Sequence, residues 1–450
     1  MIDNSSARET LTSKLGVVLV AAGSSVGLGN IWRFPYIAGE GGGGAFMLIY
    51  LAAVILIGKP IMLSEFVVGR NTHRSAVGAY RKLDKRWQVL GYNGVIVAFL
   101  IMGFYYVVAG WTAEYFVASV SGELGALSTP KEYGDMFNNF VTSSWKPVIY
   151  TFIFVGMTHL VIVRGVTKGI EKVSKVLMPI LLVILVILSI NSVMMPGAME
   201  GLIYLFKPDF SKVTPQVVMQ AVGQAFFSLS VGIGCLIAYS SYFSDDNDMR
   251  KTSMQVTMLD TSVAILSAVM IFPAVFSAGI EPSQGPSLVF ITLPTIFQSM
   301  PMPMLWSSIF FLLLIIAALT STISLHEVVT LHLHEEHNMS RKKATYLTTI
   351  GVSILGVFAS LSLGVLSSFT IFGLNIFDFL DTLTADVLMP LGGLFTCLFV
   401  GWRMDRGLFY GELMQKGEDR SYVVDSAFFL LRYVCPVILI IIMLDAFKVF

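Results

Sequence analysis

The stretch Gly23 to Pro35 reads Gly-Ser-Ser-Val-Gly-Leu-Gly-Asn-Ile-Trp-Arg-Phe-Pro, inside a segment apolar enough to cross a bilayer. It is poorly made for a continuous helix. Three glycines and two serines fall within seven positions, and each weakens a helix or competes for its backbone hydrogen bonds. Asn30 and Arg33 follow at once, and both are costly at membrane depth without partners. Non-helical backbone is tolerated there only when it is buried in protein or lines a cavity. The stretch therefore reads as a broken transmembrane helix whose freed carbonyls and amides face a ligand. Ser228 to Gly234, Ser-Leu-Ser-Val-Gly-Ile-Gly, is a second such interruption in another apolar segment.

The rest of the chain agrees with a membrane setting. Of its 450 residues, 55% are hydrophobic and 13% charged, against about 25% charged in a soluble domain. Net charge is zero, which gives no argument for nucleic acid. Cys235, Cys397 and Cys435 lie singly in apolar runs and read as packing residues. The first dozen residues are polar and lack a signal-peptide core, which predicts a cytoplasmic, uncleaved N-terminus.

With about 20 apolar residues needed per crossing, eleven spans are expected: 14–37, 44–69, 88–120, 147–164, 169–195, 216–241, 254–280, 304–335, 342–366, 370–400 and 426–447. Lys and Arg concentrate in the connections at 70–86, 164–172, 250–251, 341–343 and 403–420, whereas 281–303 and 367–369 have none. The positive-inside rule puts the basic connections and the N-terminus in the cytoplasm, and an odd number of spans puts the C-terminus outside. The long connections 122–146, 196–215 and 281–303 are expected to be partly helical lids over an outward vestibule. Spans one to five and six to ten form two sets, each opening with its broken helix. Five is odd, so the second set must be inverted. The fold class expected is thus an all-α polytopic membrane protein with a 5+5 inverted repeat and discontinuous helices 1 and 6. Residues 1–195 form the first repeat, 196–400 the second, and 401–450 a cytoplasmic loop with an accessory eleventh span.

Gly27-Leu-Gly-Asn-Ile-Trp-Arg-Phe-Pro35 resembles the first-helix signature of the neurotransmitter:sodium symporter family. The similarity continues through Gly42-Gly-Gly-Ala-Phe46, Glu65, Tyr105-Tyr106, Gly223-Gln-Ala-Phe-Phe-Ser-Leu-Ser230 and Ala318-Leu-Thr-Ser321. The resemblance implies sodium-coupled symport of an amino acid by alternating access, with no enzymatic step and no organic cofactor. One sodium ion would be held by Asn30, Ser228 and Asp260, the Ser25 carbonyl and the substrate carboxylate. A second would take the Thr320 and Ser321 hydroxyls with the carbonyls of Gly23, Val26 and Ala317. Oxygen ligands suit a hard cation, although serines and threonines in membrane helices also bond back to their own helix.

By the same resemblance the Leu28 and Gly29 amides and the Tyr106 hydroxyl would hold an α-carboxylate, and carbonyls near Ser25, Phe227 and Ser230 the amine. Val26, Met102, Tyr106, Phe227, Ile233, Ser321 and Leu325 would line a mostly apolar side-chain pocket, suited to a neutral aliphatic or aromatic amino acid. Amine-transporting members carry an aspartate where this chain has Gly27, so a substrate with its own carboxylate is expected. Asp260 sits where the family often has a neutral residue, which predicts chloride-independent transport. Asp260 is also a candidate to take up a proton on the return step.

Arg33 with Asp381 resembles the outer gate, with Asp378 a nearby rival. Arg8 with Ser241, Tyr242 and Glu335 resembles the inner one. Glu65 would accept hydrogen bonds from the broken sixth span. The tract His332, His334, Glu335, Glu336 and His337 lacks the HExxH spacing and reads as solvated polar residues. Many relatives carry a twelfth span and this chain stops at Phe450, but the ten-span core is intact. The rival readings are a proton-coupled amino-acid carrier and a substrate-binding sensor without net transport. The partners implied are the amino acid, sodium and the bilayer, not nucleic acid. The oligomeric state is left open.

Overall fold

A computed structural model describes residues 9–279, 288–414, 418 and 421–446. Regular structure among these residues is helical, apart from a single antiparallel bridge between Ile371 and Leu374. The spans are Lys14–Ser25 with Gly29–Glu40, Gly44–Thr72, Lys85–Val120, Lys146–Ile162 and Val166–Val193 in the first set. Pro215–Ser228 with Cys235–Ser240, Met249–Ser277, Pro303–Glu336, Arg341–Leu361 and Ile376–Arg403 make the second set, and Tyr422–Asp445 follows. Eight of these are each long and apolar enough to cross a membrane alone. The first passes only as a pair of helices bent by 54°. The sixth is divided into pieces of 14 and 6 residues, too short to qualify separately.

The packing exchanges partners between the two sets. The first span lies against the seventh as the sixth lies against the second; the fifth packs on the seventh as the tenth packs on the second. The third and eighth spans, the longest helices, pack on each other through the centre. Such reciprocal pairing is what an internal two-fold relation demands.

Span ends differ from the hydropathy boundaries where a polar cap, rather than the bilayer, starts the helix. The seventh begins at Met249 because Asp248 accepts from the Lys251 amide, so it sits about one turn nearer the basic side than 254–280. The tenth begins at Ile376, where the Asn375 side chain accepts from the Asp378 amide.

Both interruptions exist, and the first is narrower than its glycine content suggests. The helix runs through Gly23 to Ser25; only Val26 (ψ 109°) and Gly27 leave it, Leu28 is helical again, and Gly29–Arg33 is already a π turn. The glycines here serve close approach. A Cβ on Gly29 would stand 2.7 Å from the Phe227 ring, and one on Gly27 would stand 2.3 Å from Ser321 Oγ. The second break, at 229–234, is a true unwinding, with Ser230, Gly232 and Gly234 at φ of 52°, 80° and 82°. Gly232 has no alternative, because a Cβ there would also meet the Met389 carbonyl oxygen at 2.5 Å.

The long connections carry helices as expected. Pro130–Val141 starts with a Thr129/Glu132 capping box, Ala198–Phe206 fills the second connection, and a helical stretch covers Leu288–Gln298. Phe137 and Phe290 from two of these connections stack at 5.4 Å, and Phe290 also packs edge-on to Trp32 and Trp111.

Candidate functional site

The two breaks face each other at the centre of the bundle. Ser230 Oγ donates to the Ser24 carbonyl at 2.7 Å, and Ser25 Oγ to the Leu229 carbonyl at 3.4 Å. The unwound sixth span is held from behind by Glu65, whose Oε1 accepts from the Gly232 amide at 2.7 Å. That is the bond expected of Glu65.

Beside the breaks lies a knot of buried oxygens. Asn30 Nδ2 donates to Ser228 Oγ and to Asp260 Oδ1, both at 2.8 Å, while its Oδ1 accepts from the Gly27 amide at 3.0 Å. Ser228 Oγ lies 2.9 and 2.8 Å from the two Asp260 carboxylate oxygens. Tyr50 of the second span adds a hydroxyl at 3.2 Å from Ser228 Oγ and 3.4 Å from Asp260 Oδ2. Asn30, Tyr50 and Asp260 are each 0% exposed. So Asn30, Ser228 and Asp260 converge as the sequence suggested, and Tyr50 is an addition that a lone hydroxyl in an apolar span did not announce. Gln224, part of a quoted motif but given no role, holds the Gly29 carbonyl at 2.8 Å.

A second oxygen cluster forms where the eighth span meets the first break. Thr320 Oγ1 is 3.4 Å and Ser321 Oγ 3.5 Å from the Val26 carbonyl. Thr320 also bonds back to the carbonyls of Ile316 and Ala317, at 3.2 and 3.0 Å. Gly23 lies alongside, close enough that a Cβ would come within 3.6 Å of Thr320 Cβ. Gly23, Val26, Ala317, Thr320 and Ser321 are thus brought together.

The third span corrects the expected lining by one residue. Tyr105 accepts the Leu28 amide at 3.1 Å and, with Ile101, borders the space between the breaks. Tyr106 and Met102 do not border it. Tyr106 is fully buried, and its hydroxyl has no hydrogen-bond partner among the described residues. Positions 101 and 105 lie one turn apart on one helical face; 102 and 106 lie on a face rotated by about 100°. Adjacent tyrosines in an all-apolar helix gave no way to choose between the faces.

Two cavities stack along the first span. The outer one, about 310 Å³, is walled by aromatic side chains that include Trp32, Tyr36, Trp111, Phe290 and Phe377. Arg33, Asp378 and Asp381 also reach it. Arg33 and Asp381 border the same cavity but form no ion pair; the Arg33 guanidinium lies instead 4.8 Å over the Phe227 ring. Asp378 is occupied with Asn375. The inner cavity, about 30 Å³, lies between the breaks and is bordered by Ser25, Ile233, Ser321 and Leu325 among others. It has room for one or two water molecules. Gly29, Tyr105 and Phe227 belong to both walls, so they form the floor of one and the roof of the other.

On the basic side a set of contacts ties the start of the first span to its neighbours. The Leu11 amide donates to the Tyr242 carbonyl at 3.0 Å, and Glu171 takes the Thr12 amide and hydroxyl at 3.0 and 2.8 Å. Tyr242 Oη donates to Glu327 Oε1 at 2.6 Å, and Arg341 grips both Glu327 oxygens at 2.9 and 2.5 Å. Glu327, fully buried, was not anticipated; a lone acid in a long helix carries no signature until its arginine is folded against it. Glu335, expected in this gate, accepts from the Ser75 amide at 2.6 Å, and the Ser241 carbonyl lies 3.1 Å from His73 Nδ1. Arg8 lies outside the described residues. Of the histidine tract, His332 is buried between Tyr92 and His337 rather than solvated. Among the described residues no three His, Cys, Asp or Glu side chains gather as they would around a transition metal.

Comparison with known proteins accords with this geometry. The model of the sodium:neurotransmitter symporter family matches residues 8–138 and 141–450. An uncharacterized sodium-dependent transporter, YhdH, of Bacillus subtilis is 37% identical over 435 residues, 96% of each chain. One from Haemophilus influenzae is 40% identical over 416 residues, covering 89% of this chain and 91% of that one. The crystal structure of MhsT in complex with L-phenylalanine superposes with a TM-score of 0.90 at 42% identity, covering 98% of this chain and all of that one. The chain belongs to the sodium:neurotransmitter symporter family.

Proposed function

We propose that this protein carries a neutral amino acid, aliphatic or aromatic, into the cell together with sodium and without need of chloride. The observation that carries the reading is the buried Asp260 carboxylate, tied to Asn30, Ser228 and Tyr50 beside the first break. A carboxylate at that depth is expensive unless a cation shares the site. An anion built into the protein makes a recruited one redundant. Asn30, Ser228, Asp260 and the Ser25 carbonyl form the first sodium site; Gly23, Val26, Ala317, Thr320 and Ser321 form the second.

The Leu28 amide and the Tyr105 hydroxyl, now bonded to each other, turn to the substrate carboxylate. The dipole of the helical turn starting at Gly29 adds to that attraction. The amine meets the carbonyls around Ser25, Phe227 and Ser230. Ile101, Ile233 and Leu325 accept an apolar side chain, and MhsT, similar over the whole chain, was solved with L-phenylalanine. A central space of about 30 Å³ cannot hold an amino acid, so entry from the vestibule requires Phe227 and the breaks to part. Arg33 then leaves the Phe227 ring for Asp381 as the site closes outward, and the Leu11, Tyr242 and Glu327 contacts release to open inward. The Lys and Arg bias puts the basic loops and the N-terminus in the cytoplasm.

The test is uptake of a radiolabelled amino-acid panel into proteoliposomes at fixed pH. The expected result is accumulation of neutral amino acids under a sodium gradient, none when choline replaces sodium, and no change when gluconate replaces chloride. Accumulation that persists in choline under a proton gradient would refute the reading.

A further inference from the structure

A cavity of about 460 Å³ opens between the helix Arg406–Leu413 and the start of the last span, on the basic side and away from the transport path. It is lined by Arg406, Tyr410, Asp425, Phe428, Arg432 and Tyr433, among others. The two arginines are laid on aromatic faces. The Arg406 guanidinium is 4.7 Å from the Tyr410 ring centre and 5.2 Å from that of Phe428. The Arg432 guanidinium is 4.4 Å from Trp402 and 5.5 Å from Tyr433. Arg406 also donates to Tyr410 Oη at 2.8 Å, which leaves its remaining N–H groups, and the edge of Arg432, to meet an acceptor.

The acids nearby do not balance these charges. Arg70, Arg250, Arg341 and Arg403 each pair with a carboxylate, from Glu412, Glu418, Glu327 and Asp84 respectively. Arg432 has no such pair among the described residues, and its Nε is buried without a hydrogen-bond partner. A buried donor left unmade is costly, so an acceptor from outside the chain is favoured there. Asp425 is the one carboxylate lining the cavity among the described residues. It accepts from Tyr410 Oη at 2.7 Å and lies 4.0 Å from Arg406, so among the described lining residues two arginines face one carboxylate.

The surroundings identify the kind of anion. Phe429 and Tyr433 in the lining, and Trp402 packed on Arg432 and Tyr433, stand 56%, 47% and 57% exposed. Such a ring of aromatics marks the membrane–water boundary. A soluble phosphate has no use for it; a lipid carries its phosphate at that depth, with acyl chains running along Phe429 and Tyr433. We propose that this cavity binds the phosphate head group of an anionic phospholipid, held by Arg406 and Arg432. Basic pockets at the edge of the anionic leaflet suit such head groups.

The experiment is thermal unfolding of the whole protein in detergent, titrated with phosphatidylglycerol, phosphatidylcholine or glycerol 3-phosphate, for the natural chain and the double variant Arg406→Gln/Arg432→Gln. The natural chain should be stabilised by phosphatidylglycerol at a concentration roughly thirtyfold below that needed by the variant, from two arginine contacts. Phosphatidylcholine should treat the two alike, and glycerol 3-phosphate should do little. Equal response to the two lipids, an unchanged response in the variant, or full stabilisation by glycerol 3-phosphate would each overturn the proposal; the last would make this a soluble-anion site. If the double variant fails to fold, Trp402 emission in nanodiscs decides the matter, with Trp402→Phe as the blank. Brominated phosphatidylglycerol should quench Trp402 more than brominated phosphatidylcholine at equal mole fraction, and equal quenching overturns the proposal.

Discussion

Replacing Asp260 with Ser is the most informative perturbation the site offers. It removes one buried negative charge beside the proposed sodium position while leaving the donors around it in place: Asn30 Nδ2, Ser228 Oγ and Tyr50 Oη. Asp260 is 0% exposed, so solvent screens the loss weakly. Two unit charges about 4 Å apart interact by roughly 4 kcal/mol at an effective dielectric of about 20. That energy corresponds to roughly a thousandfold in affinity at about 1.4 kcal/mol per decade. The shorter side chain also vacates a space rimmed by two hydroxyls and an amide N–H, a donor set suited to a halide. We therefore expect Asp260→Ser in gluconate to need up to about a thousandfold more sodium for half-maximal uptake. Chloride should restore at least a tenth of that loss on the logarithmic scale, while the natural chain ignores chloride. The assay is sodium-dependent uptake in proteoliposomes with chloride or gluconate, alongside a thermal-unfolding control for folding. A variant that keeps the natural sodium dependence, or stays chloride-insensitive, refutes the charge argument.

The remaining predictions concern the path around that site. Tyr105→Phe removes the hydroxyl that meets the Leu28 amide, at about 1.5–3 kcal/mol for a bond to a charged group; KM for the amino acid should rise at least tenfold, while Tyr106→Phe leaves it unchanged. Gly29→Ala puts a Cβ 2.7 Å from the Phe227 ring, which must then shift from its place between the two cavities; uptake should fall more than tenfold in protein that still folds, as judged by size-exclusion chromatography. Glu327→Ala strands Arg341 at a largely buried position and unties Tyr242; losing one partner of such a pair costs about 3–5 kcal/mol, so the unfolding midpoint should drop by several degrees. The same variant should expose cysteines introduced near Leu11 to a water-soluble thiol reagent from the basic side, whereas unchanged labelling would mean that this contact does not keep that side shut.

Membrane residence, an all-helical fold and the existence of both breaks were legible in the chain alone. The bilayer removes most alternatives: a run of about 20 apolar residues must span, and glycine and serine within such a run must be enclosed. Asn30, Ser228, Asp260, Thr320 and Ser321 were singled out by the resemblance to the symporter family, and polar groups at that depth need partners. Tertiary structure decided what depends on rotation and distance. Whether Tyr105 or Tyr106 faces the breaks turns on about 100° of helix rotation, which an apolar helix, buried on most sides, does not record in its pattern. The joining of Tyr50 to Asp260, and of Glu327 to Arg341, brings together residues far apart in sequence and leaves no local trace. The separation of Arg33 from Asp381, and the central space of about 30 Å³, belong to one conformation of a moving molecule. A sequence specifies every state of its cycle at once; only coordinates single out one of them, because a gate that works must be able to rest both open and shut.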